Sequence, residues 1–531
     1  MDPADQSATP DSQPGGDGGA GSAAEAAEPA WVERVAEPRA YGWCDRLSEA
    51  LLMFMTVVSP WAFGTTSDGA IGVMNSAGCS LGVLLLAKHW LRWRTGYQPP
   101  RWGEVAPRPG ETALFRPPTR LARWLTRWLA GLTALTLGVC LVSALNARSS
   151  VVGGVQTFYD RYVPWLPHSY ARDLTWEAFW RCLALACFFW ATRDWLLGKT
   201  AREGGYEELA FVDGVPPPSR PLPQRLSRLL WVLCLNGTLL GIAAIIQRLD
   251  GTNKLLWLVR PIYGTADFHF GPFNYRGNGA QYFNLLWPVS LAFWWTLFRA
   301  SQASRRAGSR IGGEPHLVLL PCVLLQVACP VISASHGGAV ITAGLAVGAL
   351  GILLAANWHT APVVRLAMMV PFLLGLGLAL YLGWSQFQAG FTNAFLDDLG
   401  DRIEIYQNSR QMVVDHPVFG MGPGSFPAMY QLYRSNTRQE WASYAHNDWL
   451  ETLITFGWCG FVPVLLMLVH VFVRWWVRDG IQCRWDLVGM IWLALAGCLF
   501  HARFDFPFQV YSLVLLFLVL CCVTCCVARK P

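Results

Sequence analysis

Residues 385–446 form a long polar segment between two apolar ones, and they carry the residue types best suited to chemistry. The His446 side chain can exchange a proton near neutral pH. Arg402 has a planar guanidinium that can grip a phosphate group through two hydrogen bonds. A histidine and an arginine in one loop beside apolar segments indicate a reaction carried out at a membrane surface.

His446 directly precedes Asn447–Asp448, a pair suited to cap and open a helix. The positive end of the helix dipole favours the neutral imidazole, which can accept a proton. The alternative is an interfacial histidine that only helps to cap the helix. The sequence alone leaves both interpretations open.

Arg402 is expected on a short amphipathic helix, Asp401 to Val414. Spacing of four places Arg402, Tyr406 and Arg410 near one face of that helix. The functional interpretation is that this face binds phosphate. The structural alternative is an ion pair between Arg402 and Asp398.

Three glycines, Gly420, Gly422 and Gly424, form a run without the Lys-Ser/Thr that a Walker loop needs. Glycines permit turns with positive φ and close approach of the backbone. A structural turn is therefore preferred over a phosphate loop.

Other polar groups lie beside apolar segments elsewhere in the chain. Residues 270–278 offer Asn274, Arg276 and Asn278 as candidates to bind substrate, with plain loop solvation as the alternative. His336 lies at a tight reversal between two apolar segments, where polar side chains are costly and often functional. The alternative is an interfacial histidine whose hydrogen bonds are satisfied. Further on, Arg503 and Asp505 are expected to pair with each other.

The composition is typical of an integral membrane protein. The chain is 53% hydrophobic and only 14% charged, against about 25% charged in soluble domains. Its net charge of +6 comes from short loops beside apolar segments, which argues against nucleic-acid binding. The fifteen cysteines mostly lie in apolar segments as small hydrophobic residues, and their spacing predicts no metal site.

Twelve apolar segments are long enough to span a membrane, because a spanning helix needs about 20 mostly apolar residues. Their approximate centres are Val57, Val83, Leu135, Cys187, Leu239, Val289, Leu325, Val347, Leu374, Leu465, Leu495 and Leu516. The fold class is therefore all-α, a polytopic membrane protein with one large loop between spans nine and ten. Its expected parts are a disordered tail at 1–44, spans one to nine at 45–384, a catalytic loop at 385–446, and spans ten to twelve with a short tail at 447–531.

The distribution of Lys and Arg predicts the orientation. Basic residues concentrate in the loops after spans two, four, six and ten, as in Arg92, Arg94, Lys199, Arg305 and Arg474. With twelve spans, these loops and both termini lie in the cytoplasm. The 385–446 loop and every other polar cluster then lie on the outer face, with no secretory leader expected.

The order of these motifs resembles the O-antigen ligase and polymerase superfamily of bacterial envelope glycan assembly. The resemblance covers roughly residues 45–528. The segments that carry it are Ser59–Gly64, Gln247–Thr252, Phe270–Ala280, Ser333–Gly338, Arg402, Pro417–Phe426, His446 and Thr455–Gly460. The family often has Ser-Arg-Gly at the reversal, whereas this chain has Ser335–His336–Gly337, and Arg276 is the candidate to supply the missing charge.

The resemblance implies an all-helical glycosyltransferase of the GT-C type in the bacterial inner membrane. Such an enzyme moves a glycan from an undecaprenyl-diphosphate carrier to a hydroxyl of a lipid-anchored or growing glycan, with no metal or cofactor. It implies that His446 is catalytic and that Arg402 contacts the diphosphate. Arg276, His336, Arg410, Asn278 and Asn274 are the expected substrate-binding residues.

Several other functions fit the same sequence. The chain could polymerise repeats, or glycosylate a protein at Ser or Thr, as related enzymes do. A transporter of lipid-linked glycan also fits twelve spans, although the spans show no ionisable relay and no inverted repeat. A non-catalytic assembly protein would keep its function after His446 is replaced.

Overall fold

The computed structural model describes a helical bundle with a helical loop domain at one end. The description covers residues 32–33, 36–102, 114–115, 119–152, 155–203, 221–261, 265–306, 314–359, 365, 377, 394–435, 442–477 and 479–529. Most of the expected N-terminal tail and the centre of the ninth expected span, Leu374, lie outside these residues.

Helices dominate the described ranges. They are α1 (Arg39–Trp61), α2 (Asp68–Thr95), α3 (Arg120–Leu145), α4 (Arg172–Leu197), α5 (Gln224–Asp250), α6 (Arg276–Arg306), α7 (His316–Ile332), α8 (His336–Ala356), α9 (Ala394–Asp415), α10 (Phe426–Met429), α11 (Asp448–Val473), α12 (Trp485–His501) and α13 (Tyr511–Cys526). Helix α1 begins at Arg39, inside the stretch 1–44 expected as a tail. The segment 39–44 is short and mixed in composition, and apolar patterning alone does not assign it to a span.

The strands are short and lie at the ends of the bundle. They are β1 (Val32–Glu33), β2 (Leu114–Phe115), β3 (Ser149–Val152), β4 (Val155–Phe158), β5 (Ile481–Cys483) and β6 (Val527–Arg529). The pairs β1–β2 and β3–β4 are antiparallel and β5–β6 is parallel. The mostly helical fold class is confirmed.

Among the described residues, five helices are both long and apolar enough to cross a membrane, by length and composition: α2, α3, α5, α8 and α11 with its continuation to Trp476. Helices α7, α12 and α13 are apolar but shorter. Each expected span centre except Leu374 falls within a helix of the described residues. The total of twelve spans stays a prediction.

Helix α6 lies at the centre of the bundle. Every residue from Gly277 to Phe293 is buried, and α5, α7, α8 and α12 pack around it. A helix that is apolar on all sides must be enclosed by other elements. Its first turns therefore hold a fixed position relative to the helices around it.

The polar loop has a small apolar core of its own. Ile405 and Met412 on α9 pack with Met421, Phe426 and Ile454. Since Ile454 belongs to α11, this cluster attaches the loop to the membrane helices. Side chains on the inner face of α9 therefore face the bundle end rather than solvent.

Candidate functional site

Helix termini from distant parts of the chain meet at one end of the bundle. The Asp448 N–H, opening α11, donates to the carbonyl of Ala502 just after α12 (2.8 Å). His501 Nδ1, at the end of α12, hydrogen-bonds Gln281 Oε1 on α6 (2.6 Å). A Cβ atom on Gly337, at the start of α8, would lie 3.7 Å from His501 Nε2. The structure thus joins α6, α8, α11 and α12 at one place.

The reversal between α7 and α8 is as tight as the sequence predicts. Only Ser333, Ala334 and Ser335 separate the helices, and Ala334 has φ of +58°. Ser335 caps α8 by accepting a hydrogen bond from the Gly338 N–H at 3.2 Å. This turn brings His336 to the same bundle end as His501.

His446 is held in an unusual backbone conformation. Its φ is +49°, a left-handed value that costs a non-glycine residue about 1–3 kcal/mol. Asn447 caps α11 by accepting from the Leu450 N–H at 3.2 Å, which confirms the predicted cap. The Tyr406 hydroxyl donates to the His446 carbonyl at 2.8 Å. These contacts from both sides fix the direction of the imidazole.

Asp505 lies between two histidines. Its Oδ1 is 3.6 Å from His446 Nδ1, slightly beyond hydrogen-bond length, and its Oδ2 is 3.3 Å from His501 Nε2. The predicted pairing of Asp505 with Arg503 is wrong. Arg503 is exposed, whereas Asp505 is buried, because the end of α12 lies against the start of α11, where the Asp448 N–H donates to the Ala502 carbonyl.

The Asp505 carboxylate stays ionised at neutral pH. Burial by itself would raise its pKa, but the adjacent imidazoles of His446 and His501 lower it by more. The net effect holds the pKa of Asp505 well below its ordinary value. A fixed negative charge therefore lies next to Nδ1 of His446.

A stack of aromatic rings encloses the imidazole. The Phe506 ring lies between Tyr275 and Tyr444, with ring centres 5.3 Å and 4.4 Å away. The His446 ring meets Phe506 edge-on at 4.9 Å. Three separate segments of the chain thus contribute to one wall, which restricts the motion of His446.

Arg402 lies one helical turn before Tyr406 on α9. Its Nη1 donates to the Phe504 carbonyl (2.6 Å) and its Nη2 to the Tyr275 hydroxyl (3.4 Å). Helix α9 is longer than the predicted Asp401–Val414, and it carries Arg402 to the loop that holds Asp505. The side chain of Asp398, the expected alternative partner, lies outside the described residues.

The candidates in residues 270–278 lie beside the site with different roles. Arg276 donates to the Asp267 carbonyl at 3.3 Å, so its guanidinium lies against the preceding loop. Asn278 belongs to the first turn of α6 and is buried. Asn274 Oδ1 is buried and has no hydrogen-bond partner in the described part of the chain. Their neighbour Tyr275 makes the contact with Arg402 instead.

The two remaining candidates differ in exposure. His336 is half-buried at the start of α8, next to Gly337 and hence close to His501. Arg410 is exposed, two turns along α9 from Arg402. Across the described ranges, no three His, Cys, Asp or Glu side chains are grouped to hold a metal ion.

The glycine-rich turn inserts into a break in α11. Gly457 has φ of +58° and ψ of −171°, which interrupts the helix. The Met421 and Gly422 N–H groups donate to the freed carbonyls of Ile454 and Thr455 (2.8 and 3.0 Å). A Cβ on Gly420 would lie 2.5 Å from the Ile454 oxygen. The glycines therefore serve close backbone packing, in agreement with the structural interpretation.

Sequence reasoning missed the aromatic and acidic part of the site. Tyr275, Tyr444 and Phe506 carry no pattern that separates them from other interfacial aromatic residues. For Asp505, the sequence predicts a pair with its near neighbour Arg503 instead of a contact with His446. Only its expected position on the same membrane face as His446 could have suggested the contact.

Part of the candidate site lies in a segment that matches a known protein family. A family model described as O-antigen ligase matches residues 321–465, which include His336, Arg402 and His446. No curated protein matches the chain. Arg276 and Asp505 lie outside the matched segment. Residues 321–465 are therefore similar to the O-antigen ligase family, and the resemblance of this chain to the O-antigen ligase and polymerase superfamily is confirmed.

Proposed function

We propose that this protein transfers a glycan from an undecaprenyl-diphosphate carrier to an acceptor hydroxyl at the outer face of the bacterial inner membrane. The matched domain supports a ligase- or polymerase-type function in surface-glycan synthesis. The observation that carries the finer proposal is the contact of Asp505 with Nδ1 of His446. That contact turns a loop histidine into an oriented base.

The proposed proton acceptor is Nε2 of His446. An ionised Asp505 beside Nδ1 favours the tautomer whose proton lies on Nδ1, which leaves the lone pair on Nε2. The acceptor hydroxyl gives its proton to Nε2 while its oxygen bonds to the anomeric carbon. The bond between that carbon and the carrier's phosphate oxygen breaks, and its electron pair leaves with the diphosphate.

Positive charge near His446 would stabilise the departing diphosphate. The Phe504 carbonyl and the Tyr275 hydroxyl fix the Arg402 guanidinium beside the loop that holds Asp505. A cation held in advance at this point lowers the energy of charge that develops on the leaving group. His336 and Arg276, at the margin of the site, are proposed to contact more distant parts of the substrate.

A membrane-bound site also reduces the entropic cost of the reaction. Donor and acceptor anchored in one leaflet meet in a plane, and the fixed His446 ring adds orientation. The helix termini that build the site are the ends that the positive-inside pattern places outside the cytoplasm. The inner-membrane location and the cytoplasmic termini are part of the same proposal.

A deletion strain tests the function directly. The strain is complemented with the wild-type gene, with His446→Ala, or with His89→Ala. His89 lies near the C-terminal end of α2 and serves as the control histidine. Surface glycan is then resolved by repeat number on gels. His446→Ala is expected to lower transfer by about 10²–10⁴-fold at unchanged protein level, and His89→Ala is expected to match wild type.

The glycan pattern separates the possible reactions. Loss of glycan from the acceptor, with long chains left on the carrier, supports a ligase. Single repeats on the acceptor without a ladder identify a polymerase instead. Full activity of His446→Ala would refute the assignment of His446 as the base.

A further inference from the structure

A cavity between α2 and α4 lies apart from the groups assigned to the reaction. Its volume is about 440 Å³, within the range of about 300–1,000 Å³ for small-molecule sites. Asp68 and Cys79 are both part of its wall, so it extends roughly 16 Å along α2 at 1.5 Å per residue. It is therefore long enough for one or two sugar rings.

The wall of this cavity combines apolar and hydrogen-bonding groups. Ile71 and Trp180 supply apolar surface, and Asn75, Glu177 and Arg181 supply hydrogen-bonding groups. Carboxylate and amide oxygens accept bonds from hydroxyls, guanidinium donates to ring and hydroxyl oxygens, and an indole face packs on the C–H face of a sugar. This set suits a saccharide better than an acyl chain, which offers no hydrogen bonds.

Two polar atoms in the wall are buried without a partner. Among the described residues, Asn75 Oδ1 and Arg181 Nε make no hydrogen bond. Leaving a buried polar atom unpaired is energetically costly. Both side chains are only partly buried and form part of the wall, so their other polar atoms are the ones available to a ligand.

The cavity lies at the bundle end that carries His446. The glycine-rich turn packs on the start of α4, where Thr175 Oγ1 donates to the Pro423 carbonyl at 2.8 Å. A Cβ on Gly424 would lie 2.8 Å from the Leu174 oxygen. Glu177 and Arg181 follow within two turns of that contact, so the loop and the cavity share one helix.

Arg181 links the cavity to the aromatic wall of the site. Burial and the Glu451 carboxylate raise the pKa of Tyr444, and the nearby Arg181 charge lowers it in part. The Tyr444 ring stacks on Phe506, which contacts His446. Arg181 therefore lies in the wall of the cavity and near Tyr444, whose ring stack reaches His446.

We propose that the α2–α4 cavity binds a sugar unit of one of the two membrane-anchored substrates while another part of that substrate reaches His446. The inference rests on the proposed glycosyl transfer and adds a binding subsite to it. The donor glycan and the acceptor glycan share this chemistry. Their separate Michaelis constants decide which of the two occupies the cavity.

A cavity-filling substitution tests the subsite, with a matched control. A Cβ on Gly72 points into open space beside the cavity, and a Cβ on Gly131 of α3 also meets no atom. Both glycines are exposed on apolar helices. Gly72→Leu is expected to raise KM for one substrate by about tenfold or more with little change in kcat. Gly131→Leu is expected to match wild type.

A binding measurement without turnover provides the second readout. Carrier-linked glycan and lipid acceptor, each purified from the organism's own membranes, are titrated onto His446→Ala protein with and without Gly72→Leu. Trp180→Ala is expected to weaken binding of the same substrate that Gly72→Leu affects, and Trp180→Phe to restore most of it. This pattern would separate sugar stacking from membrane anchoring by an interfacial tryptophan.

The outcomes are distinguishable from failure of the proposed function. If wild type transfers glycan, and Gly72→Leu equals Gly131→Leu for both substrates in turnover and in binding, the cavity is not a subsite. If wild type transfers no glycan but the glycan still binds through the cavity, the reaction is wrong and the saccharide site stands. A loss of fold in Gly72→Leu alone is answered by the Trp180 pair.

Discussion

At the scale of single residues, the strained backbone of His446 and the charge of Asp505 belong together. A left-handed conformation in a non-glycine residue persists only where its surroundings impose it. Here the Asn447 cap and the Tyr406 hydroxyl impose it. The result is that Nδ1 faces Asp505 and the remaining nitrogen is left for substrate. The strained backbone of His446 thus decides which ring nitrogen faces Asp505 and which one is left for substrate.

Replacing Asp505 tests this arrangement. Asp505→Asn keeps the shape but removes the charge beside Nδ1, so the Nε2 lone pair is no longer favoured. We expect kcat to fall by about 10²-fold with little change in KM. Steady-state transfer assays in membranes measure both constants.

Asp505→Glu is the matched control, because it keeps the charge on a side chain one methylene longer. Partial recovery of kcat relative to Asp505→Asn is expected. Equal kcat in Asp505→Asn and wild type would show that Asp505 only supports the fold near His501.

At the scale of elements, the break in α11 and the glycine-rich turn form one unit. Gly457 interrupts the helix, and the turn supplies the hydrogen bonds that the break removes. Trp458 and Cys459 N–H donate to Pro417 and Val418 (2.9 and 3.0 Å). The loop is therefore attached through backbone bonds as well as through its small core.

Substitution of Gly457 should detach the loop. A Cβ at this position would lie 2.4 Å from the Val418 oxygen, and the φ and ψ values are nearly exclusive to glycine. Gly457→Ala is expected to lower the free energy of unfolding by roughly 1–3 kcal/mol or more and to expose the loop to protease. Thermal unfolding in detergent and limited proteolysis measure the two effects.

Gly489→Ala in α12 is the control for this change. Its Cβ would meet Ile352 at an ordinary contact distance of 3.5 Å, so stability should be unchanged or slightly improved. Similar losses in both variants would mean that α11 can straighten without cost to the loop.

At the scale of the whole molecule, charge divides the bundle into two ends. The end opposite the site holds a buried ionic network that connects α1, α2 and α4. Lys88 Nζ lies 2.7 Å from both Asp45 and Asp194, and Arg92 and Arg101 also reach Asp194. Basic residues exceed acidic ones there, as the positive-inside rule expects at a cytoplasmic face.

The network predicts that breaking a buried ion pair and breaking a partly exposed one lower the free energy of unfolding by different amounts. Lys88→Met removes one positive charge from beside two buried carboxylates. Removing the sole partner of a buried charge lowers the free energy of unfolding by about 3–5 kcal/mol. Arg92, Arg101 and Arg225 still compensate, so the loss should fall at the lower end. Arg228→Ala breaks a partly exposed pair with Glu49 and should cost about 0–1 kcal/mol. Equal unfolding midpoints for the two variants would contradict the network's role.

The orientation of the bundle is tested by labelling single introduced cysteines. Arg503 lies at the site end and Arg94 at the basic end, and both side chains are exposed. A membrane-impermeant thiol reagent on spheroplasts should label Arg503→Cys and not Arg94→Cys. Inside-out vesicles should reverse the pattern, and the parent chain gives the background of its own cysteines.

The opposite labelling pattern would place His446 in the cytoplasm. A carrier-linked glycan on the outer face could then not be the donor. The result would contradict both the orientation and the proposed substrate, while the helical fold would be unaffected.

The sequence by itself determined the features that depend on local chemistry. Apolar segments of sufficient length predicted where helices form, Asn447 predicted the start of α11, and the reversal at Ser333–Gly338 was evident from its short length. The order of motifs was sufficient to indicate the O-antigen ligase and polymerase superfamily. These features can be predicted from the sequence because each one depends only on residues that are neighbours in the chain.

The tertiary structure decided which of these groups meet. Asp505 faces His446 across some sixty residues, and Arg402 contacts Tyr275 across more than a hundred. No local rule predicts that Asp505 contacts His446 rather than Arg503. Proximity in sequence favours Arg503, which is the wrong partner. The contacts arise only when α6, α8, α11 and α12 pack around a buried centre and bring their ends to one face. The cavity between α2 and α4 has the same origin, since it is space left between two helices.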